Sequence, residues 1–201
     1  MTFFISLGIL IVILGAQVFL RSFGVDWLKI SKYFFRAVIV LIFVFLFFQT
    51  YAQYQLWLKN DISKYLLPPY TGINYFIFYA FTRFFAPYLM SLIVAILFLL
   101  AAKIINKKYE ERFFCPEEYY LGALGIFLVS HPGWLFYLIF LILFYFSIHV
   151  LSLLIPYILH LKSHTLPKRI SLYHLWIPTA IFVIIIQRWL EIMPWWNLLK
   201  I

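Results

Sequence analysis

The sequence predicts an all-α fold, a polytopic transmembrane bundle of about six membrane helices, and composition and charge spacing support this. Of the 201 residues, 66% are hydrophobic and only 11% are charged, and the mean hydropathy is +0.98. A soluble globule of this size needs a mostly polar shell, which 16 basic and 7 acidic side chains cannot supply. Soluble enzymes, disordered tails and disulfide-stapled modules are excluded, the last because the chain has one cysteine. We expect residues 1–201 to form a single integral membrane domain.

The charged residues divide the chain into spans, because Lys, Arg or Asp at the bilayer centre costs about 2.5 to 3.5 kcal/mol. One span needs roughly 20 residues at about 1.5 Å per residue. The charge-free stretch from 119 to 161 is therefore long enough for two helices, and Pro132-Gly133 breaks it. The predicted membrane helices cover residues 3–20, 37–57, 84–104, 117–131, 134–160 and 171–189.

The fourth predicted helix, residues 117–131, is too short to cross a hydrocarbon core of about 30 Å. Glu117 and Glu118 stand at its start, where the positive end of the helix dipole favours carboxylates. Gly122 and Gly125 are small residues that allow a neighbouring helix to approach closely. We therefore expect this helix to pack inside the bundle and not against lipid.

Residues 73–85 form a second atypical segment. Pro68, Pro69 and Gly72 interrupt the charge-free stretch before it, and the remainder is rich in Tyr and Phe. These side chains favour the headgroup boundary of a membrane. We interpret the segment as an interfacial helix that leads into the next span.

Basic residues are unequally divided between the two sides of the predicted bundle. One side receives eleven, namely Arg21, Lys29, Lys32, Arg36, Lys103, Lys107, Lys108, Arg112, Lys162, Lys168 and Arg169, while the other receives Lys59, Lys64, Arg83, Arg188 and Lys200. The richer side is predicted to be cytoplasmic, which places both termini outside a bacterial inner membrane. Membrane lipid is the expected partner, together with other membrane-protein subunits. Nucleic acid is not an expected partner, because binding it requires a basic surface on a soluble domain.

Three carboxylates are candidate catalytic residues. Asp26 falls in the first cytoplasmic loop, and Glu117 and Glu118 fall at the cytoplasmic end of the short fourth helix. Two acids at one membrane depth could activate water and protonate a leaving group. The alternative is that Asp26 pairs with Lys29 or Lys32 and that the glutamates simply cap the helix.

Other polar and aromatic residues have simpler interpretations. His149 lies within a predicted span, and we expect a structural histidine that is hydrogen-bonded inside the bundle. Cys115 has no CxxC partner and is assigned no role. The stretch 188–201, rich in Trp and Leu, is predicted to lie along the outer surface. We expect no metal and no cofactor, since no ligand motif is present in the sequence.

Residues 113–150 resemble the second half of the type IV prepilin peptidases, a family of membrane aspartyl proteases. In that family a cytoplasmic GxGD motif opens a short helix with small residues, which a glycine-containing turn and a long apolar helix follow. The matching stretches here are Phe114-Cys115-Pro116-Glu117 and Leu121-Gly122-Ala123-Leu124-Gly125. The resemblance implies catalytic positions at Glu117 and Asp26. Both motif glycines are missing and Glu117 stands in place of aspartate, which implies a catalytically silent relative.

The spans contain few polar residues, and this favours a non-enzymatic membrane protein that serves as a structural or assembly subunit of a membrane complex. The alternative is a prepilin-peptidase-like hydrolase that uses Asp26 and Glu117. A small-molecule channel would require a continuous polar path, for which the sequence offers little material.

Overall fold

The computed structural model describes residues 2–22, 27–110, 114–158, 172–194 and 196–199, and within these ranges all regular structure is helical. Short 3-10 turns lie at Ser63–Leu66 and Leu172–His174. A π-helical turn, Phe81–Phe85, joins α3 to α4 without a break. The all-α prediction is therefore confirmed. The α-helices are α1 (Thr2–Ser22), α2 (Trp27–Lys59), α3 (Asn74–Ala80), α4 (Ala86–Lys108), α5 (Glu118–Val129), α6 (Gly133–Ile158), α7 (Trp176–Leu190) and α8 (Trp196–Leu199).

Five of the described helical segments are long and apolar enough to cross a membrane. Their outward-facing side chains are largely Val, Leu, Ile and Phe, and many of these are more than half exposed. Such exposure is unfavourable in water and neutral in hydrocarbon. The fold is thus compatible with an integral membrane protein. The segments are Thr2–Phe19, Leu28–Lys59, Asn74–Lys108, Gly133–Leu154 and Leu172–Leu190.

Two helices extend beyond the predicted spans. α2 begins at Trp27 and not at residue 37, so its first turns include Lys29, Lys32 and Arg36. Charged residues mark the edge of the hydrocarbon, but Lys and Arg are good helix formers and do not end a helix. Residues 74–85 are helical and continue directly into α4. Their location at a membrane surface stays a prediction.

The short helix α5 lies at the centre of the bundle. Between Glu118 and Val129 only Tyr120 is partly exposed, and every other residue is buried. α5 contacts α1, α2, α4, α6 and α7. The prediction that the fourth helix packs inside the bundle is therefore confirmed.

Two glycines allow the neighbouring helices to approach α5 closely. A methyl group on Gly122 would lie 2.7 Å from Phe98 of α4 and 2.9 Å from Trp176 of α7. A methyl group on Gly125 would lie 2.5 Å from Oη of Tyr137 on α6, and that hydroxyl donates a hydrogen bond to the backbone oxygen of Trp176. All three distances are shorter than van der Waals contact. Three helices therefore meet at positions that only glycine fits.

The helices alternate in direction between two ends of the bundle. We call the end at which α5 begins the Glu118 end, and the end at which α5 finishes the Ser130 end. At the Glu118 end, Nε2 of Gln17 near the end of α1 donates a 2.6 Å hydrogen bond to the backbone oxygen of Tyr173, just before α7. The start of α1, the end of α2, the start of α4 and the end of α7 gather at the Ser130 end.

Substitution of Gly125 by alanine tests the close packing around α5. We expect Gly125→Ala to lower the melting temperature in detergent. Displacement of Tyr137 costs about 1–3 kcal/mol, which exceeds the roughly 1 kcal/mol gained from helix propensity. Gly15→Ala in α1 is the matched control, because no atom lies within 4 Å of its added methyl group. Equal melting temperatures for the two variants would contradict the assigned packing.

Candidate functional site

The structure places two of the three predicted catalytic acids at the Glu118 end. Glu118 begins α5 and its residue surface is only 2% exposed, while Glu117 is partly buried at the N-cap position. The Glu117 side chain makes no capping hydrogen bond, although its backbone oxygen accepts hydrogen bonds from the Tyr120 and Leu121 amides. Asp26 lies outside the described residues. The pairing of Asp26 with either glutamate therefore stays a prediction.

Asn106 fixes the entry to α5 at the Glu118 end. Its residue surface is fully buried, its Oδ1 accepts a 3.0 Å hydrogen bond from the Phe114 amide, and its Nδ2 donates to the Phe114 carbonyl at 2.9 Å. Nδ2 also donates to the Tyr119 hydroxyl. One side chain of α4 thus holds the backbone immediately before α5, and Glu117 and Glu118 follow from that anchored position.

The second polar region is a cavity of about 510 Å³ at the Ser130 end. A smaller cavity of about 210 Å³ lies beside it, and the two share Thr2, Tyr88, Ser130, Gln187 and Glu191. The walls come from α1, α2, the π turn, α4, the α5–α6 turn, α7 and α8. The fold therefore gathers polar groups from distant parts of the chain at one end.

Carboxamides supply several of the hydrogen-bonding groups of the larger cavity. Gln49 and Gln53 project from the last turns of α2, and Gln187 projects from the end of α7. The Oε1 atom of Gln49 is buried and accepts no hydrogen bond from the described residues. A buried acceptor without a donor is costly, at about 1–3 kcal/mol. A rotation of the Gln49 carboxamide that turns Oε1 toward the cavity would let an occupant with an N–H or O–H group satisfy this acceptor.

Charged side chains of both signs also line the larger cavity. Arg83, from the π turn, and Glu191, which directly follows α7, are both exposed. Among the described residues neither side chain has an ion-pair partner. The cavity thus presents one cationic and one anionic group, both available to bind.

His131 supports the wall of the cavity. The indole Nε1–H of Trp134 can only donate, so Nδ1 of His131 accepts that hydrogen bond at 3.2 Å. The Leu199 carbonyl can only accept, so Nε2 of His131 carries the proton and donates at 2.7 Å. These two bonds define a neutral tautomer. The imidazole therefore joins the α5–α6 turn to the C-terminal segment.

The α5–α6 turn is held against the start of α4. The amide of His131 donates to the Pro87 carbonyl at 3.2 Å. Ser130, which ends α5, has a φ of 60°, a conformation that costs a non-glycine residue free energy. The turn thus presents Ser130 and His131 to the cavity.

The structure corrects one expectation and adds detail to another. His149 is exposed, and its ring stacks parallel to Tyr145 with ring centroids 6.2 Å apart, so the expectation of a histidine inside the bundle is wrong. In the C-terminal stretch, Trp196 is fully buried and stacks on Phe136 at 5.5 Å. Trp189, Ile192 and Leu198 are exposed, so the location of this stretch along the outer membrane surface stays a prediction. His149 lies on the outward face of its helix. The hydrogen bond between His131 and the Leu199 carbonyl holds the C-terminal segment against the bundle.

Sequence reasoning missed the cavity because its residues range from position 2 to position 196 and match no motif. One signal was present. Gln49 and Gln53 occur within the charge-free stretch 37–58, and Gln187 ends the stretch 170–187. Uncharged amides inside apolar spans are uncommon and usually face a bundle interior or a cavity. The positions of charged residues do not reveal these side chains, because a carboxamide carries no charge.

Comparison with known proteins gives no match: no protein-family model, no curated protein and no solved structure is similar to the chain. The resemblance to prepilin peptidases therefore stays a prediction. Within the described ranges, His, Cys, Asp and Glu side chains do not gather in groups of three or more as metal ligands would. The cavity offers hydrogen-bond donors, hydrogen-bond acceptors and single charges of each sign, which are groups that can hold a polar ligand.

Proposed function

We propose that the protein is a non-enzymatic integral membrane protein that serves as a structural or assembly subunit of a membrane complex. Its location is the bacterial inner membrane, with both termini outside. The proposal follows from how the interior uses its polar groups and from the helix surface that the bundle leaves exposed.

The observation that carries the proposal is that buried polar side chains hold helices together. Ser91 of α4 donates to the Phe127 carbonyl of α5 at 3.3 Å, and Gln17 of α1 donates to the Tyr173 carbonyl. Asn106 binds the backbone before α5 from α4. A transporter or enzyme needs such groups to face a substrate. Here they stabilise a scaffold.

The second half of α6 provides a surface for a partner subunit. α6 is 26 residues long, about 39 Å, whereas the neighbouring α7 has 15 residues. Side chains including Phe146, Leu151 and Leu153 are exposed there. In a membrane, such a helix face packs against lipid or against another transmembrane helix.

The described basic residues support the proposed orientation. At or near the Glu118 end lie Lys29, Lys32, Arg36, Lys103, Lys107 and Lys108, and at or near the Ser130 end lie Lys59, Lys64, Arg83 and Arg188. The excess at the Glu118 end favours a cytoplasmic location for that end.

Purification from native membranes in a mild detergent tests the subunit role. We expect the chain to elute with another membrane protein at a constant molar ratio, measured by quantitative mass spectrometry. We also expect deletion of its gene to lower the amount of that partner in the membrane. A tagged membrane protein of similar size from the same cells is the control. Elution as a lone protein–detergent particle, in a detergent that keeps other inner-membrane complexes intact, would contradict the role.

The second candidate function is a prepilin-peptidase-like hydrolase. The observation that favours it is the almost complete burial of Glu118 next to Glu117, at the entrance to a short internal helix. Buried acids in membrane proteins are often functional. Asp26 is the second acid that this mechanism needs.

Cleavage of a co-expressed pilin precursor tests the hydrolase. If this candidate is correct, Glu117→Gln abolishes cleavage, because the carboxylate can no longer accept a proton from water. Asp26→Asn has the same effect. Asp61→Asn, which removes an exposed carboxylate near the opposite end of the bundle, is the control and leaves cleavage unchanged. Normal cleavage by the Glu117→Gln variant, or none by the unmodified chain, would contradict the hydrolase.

A further inference from the structure

We propose that the cavity at the Ser130 end binds the headgroup of a membrane phospholipid that carries both a phosphate and a primary ammonium group, as ethanolamine phospholipids do. The inference rests on the proposed location in a membrane. It does not depend on the subunit role. Four features of the cavity support it: its depth, its charges, its acceptors and its apolar border.

Part of the cavity wall lies at the level of lipid headgroups. Thr2 opens α1 and Glu191 directly follows α7, so these residues lie at the ends of candidate spans, while Arg83 lies in the π turn before α4. Helix ends lie at the boundary between hydrocarbon and headgroups. A lipid can therefore reach the cavity by lateral diffusion without leaving the bilayer.

The two charged side chains match the two charges of a zwitterionic headgroup. Arg83 offers a planar set of N–H donors suited to a phosphate. Glu191 offers only acceptors and suits an ammonium group. Because both side chains are exposed and neither has an ion-pair partner among the described residues, binding breaks no existing pair.

The buried Oε1 of Gln49 favours an ammonium group with N–H donors. Nothing in the described part of the chain donates to this atom. A primary ammonium carries three N–H donors, so it can bind Glu191 and also the Gln49 carboxamide oxygen once a rotation of that side chain turns the buried Oε1 atom toward the cavity. The trimethylammonium of a choline headgroup has none. The cavity should therefore discriminate between headgroups that have the same net charge.

The size and border of the cavity also fit a lipid headgroup. A volume of about 510 Å³ falls within the roughly 300–1,000 Å³ of small-molecule sites. Leu46 and Phe84 form apolar parts of its wall. Nearby, the exposed Phe47 packs edge-on against Phe85 with centroids 5.1 Å apart. This apolar surface can receive the acyl chains.

Native mass spectrometry with defined lipids tests the proposal. The protein, with any partner that co-purifies, is delipidated in mild detergent and mixed with dioleoyl-phosphatidylethanolamine, dioleoyl-phosphatidylcholine or dioleoyl-phosphatidylglycerol. We expect one phosphatidylethanolamine molecule to be retained, with affinity about 10-fold or more above that for the other two, because loss of one charge-assisted contact corresponds to at least that factor. Water-soluble glycerophosphoethanolamine is the competitor that distinguishes a lipid from a free phosphate compound, and we expect it to displace the lipid only weakly.

Substitutions of cavity residues test which side chain contacts which part of the headgroup. We expect Glu191→Gln to lower the affinity for phosphatidylethanolamine about 10-fold and to leave that for phosphatidylglycerol unchanged. We expect Arg83→Gln to weaken the binding of both lipids. Gln49→Leu removes the buried acceptor and should act like Glu191→Gln, which provides a second variant if one folds poorly. Arg36→Gln, an exposed cation near the other end of α2, is the matched control and should change nothing.

Three results would overturn the proposal. They are equal retention of the three lipids, unchanged phosphatidylethanolamine affinity in both Glu191→Gln and Gln49→Leu, and glycerophosphoethanolamine binding as tight as that of the lipid. Selective retention by a chain that purifies without a protein partner would support the cavity assignment while it contradicts the subunit role. The two proposals can therefore fail separately.

Discussion

The packing of the short helix α5 on all sides is the constraint on which the rest of the structure depends. α5 is only 12 residues long, about 18 Å, and its neighbours belong to five other helices. Where apolar burial gives no net drive, close contact between helices requires small residues and internal hydrogen bonds. Gly122 and Gly125 provide the contact, and Asn106 fixes the point at which α5 begins. The directions of the longer helices follow from this central element.

Polar residues have two kinds of surroundings in the bundle. Gln17 and Asn106 at the Glu118 end, and His131 at the Ser130 end, bind backbone groups of neighbouring segments. Gln49 and Glu191 instead line the cavity, where among the described residues the Gln49 Oε1 atom has no hydrogen-bond partner and the Glu191 carboxylate has no ion-pair partner. The proposed subunit role rests on the first group, and the proposed lipid site rests on the second.

The helical class and the internal position of α5 could be predicted from the sequence. Charged residues are costly in hydrocarbon, so charge-free stretches mark membrane helices, and a short segment with glycines is suited to close packing against other helices. The start of α2 could not be predicted in this way. The helix begins at Trp27, well before the predicted span, because charged residues mark the edge of the membrane and do not end a helix. The cavity could not be predicted either. Gln49, Gln187 and Glu191 meet only through tertiary packing, which one sequence without a motif does not encode in any local pattern. His149 shows the same limit, because helix rotation decides which way a lone residue faces.

Cysteine accessibility in intact cells tests most directly that the Glu118 end and the Ser130 end lie on opposite sides of a membrane. In a Cys115→Ser background, Asp61→Cys places an exposed thiol after α2, near the Ser130 end, and Lys108→Cys places one at the end of α4, near the Glu118 end. We expect a membrane-impermeant maleimide to label Asp61→Cys in intact cells and Lys108→Cys only after permeabilisation. Labelling of both from outside, or the reverse pattern, would contradict the account.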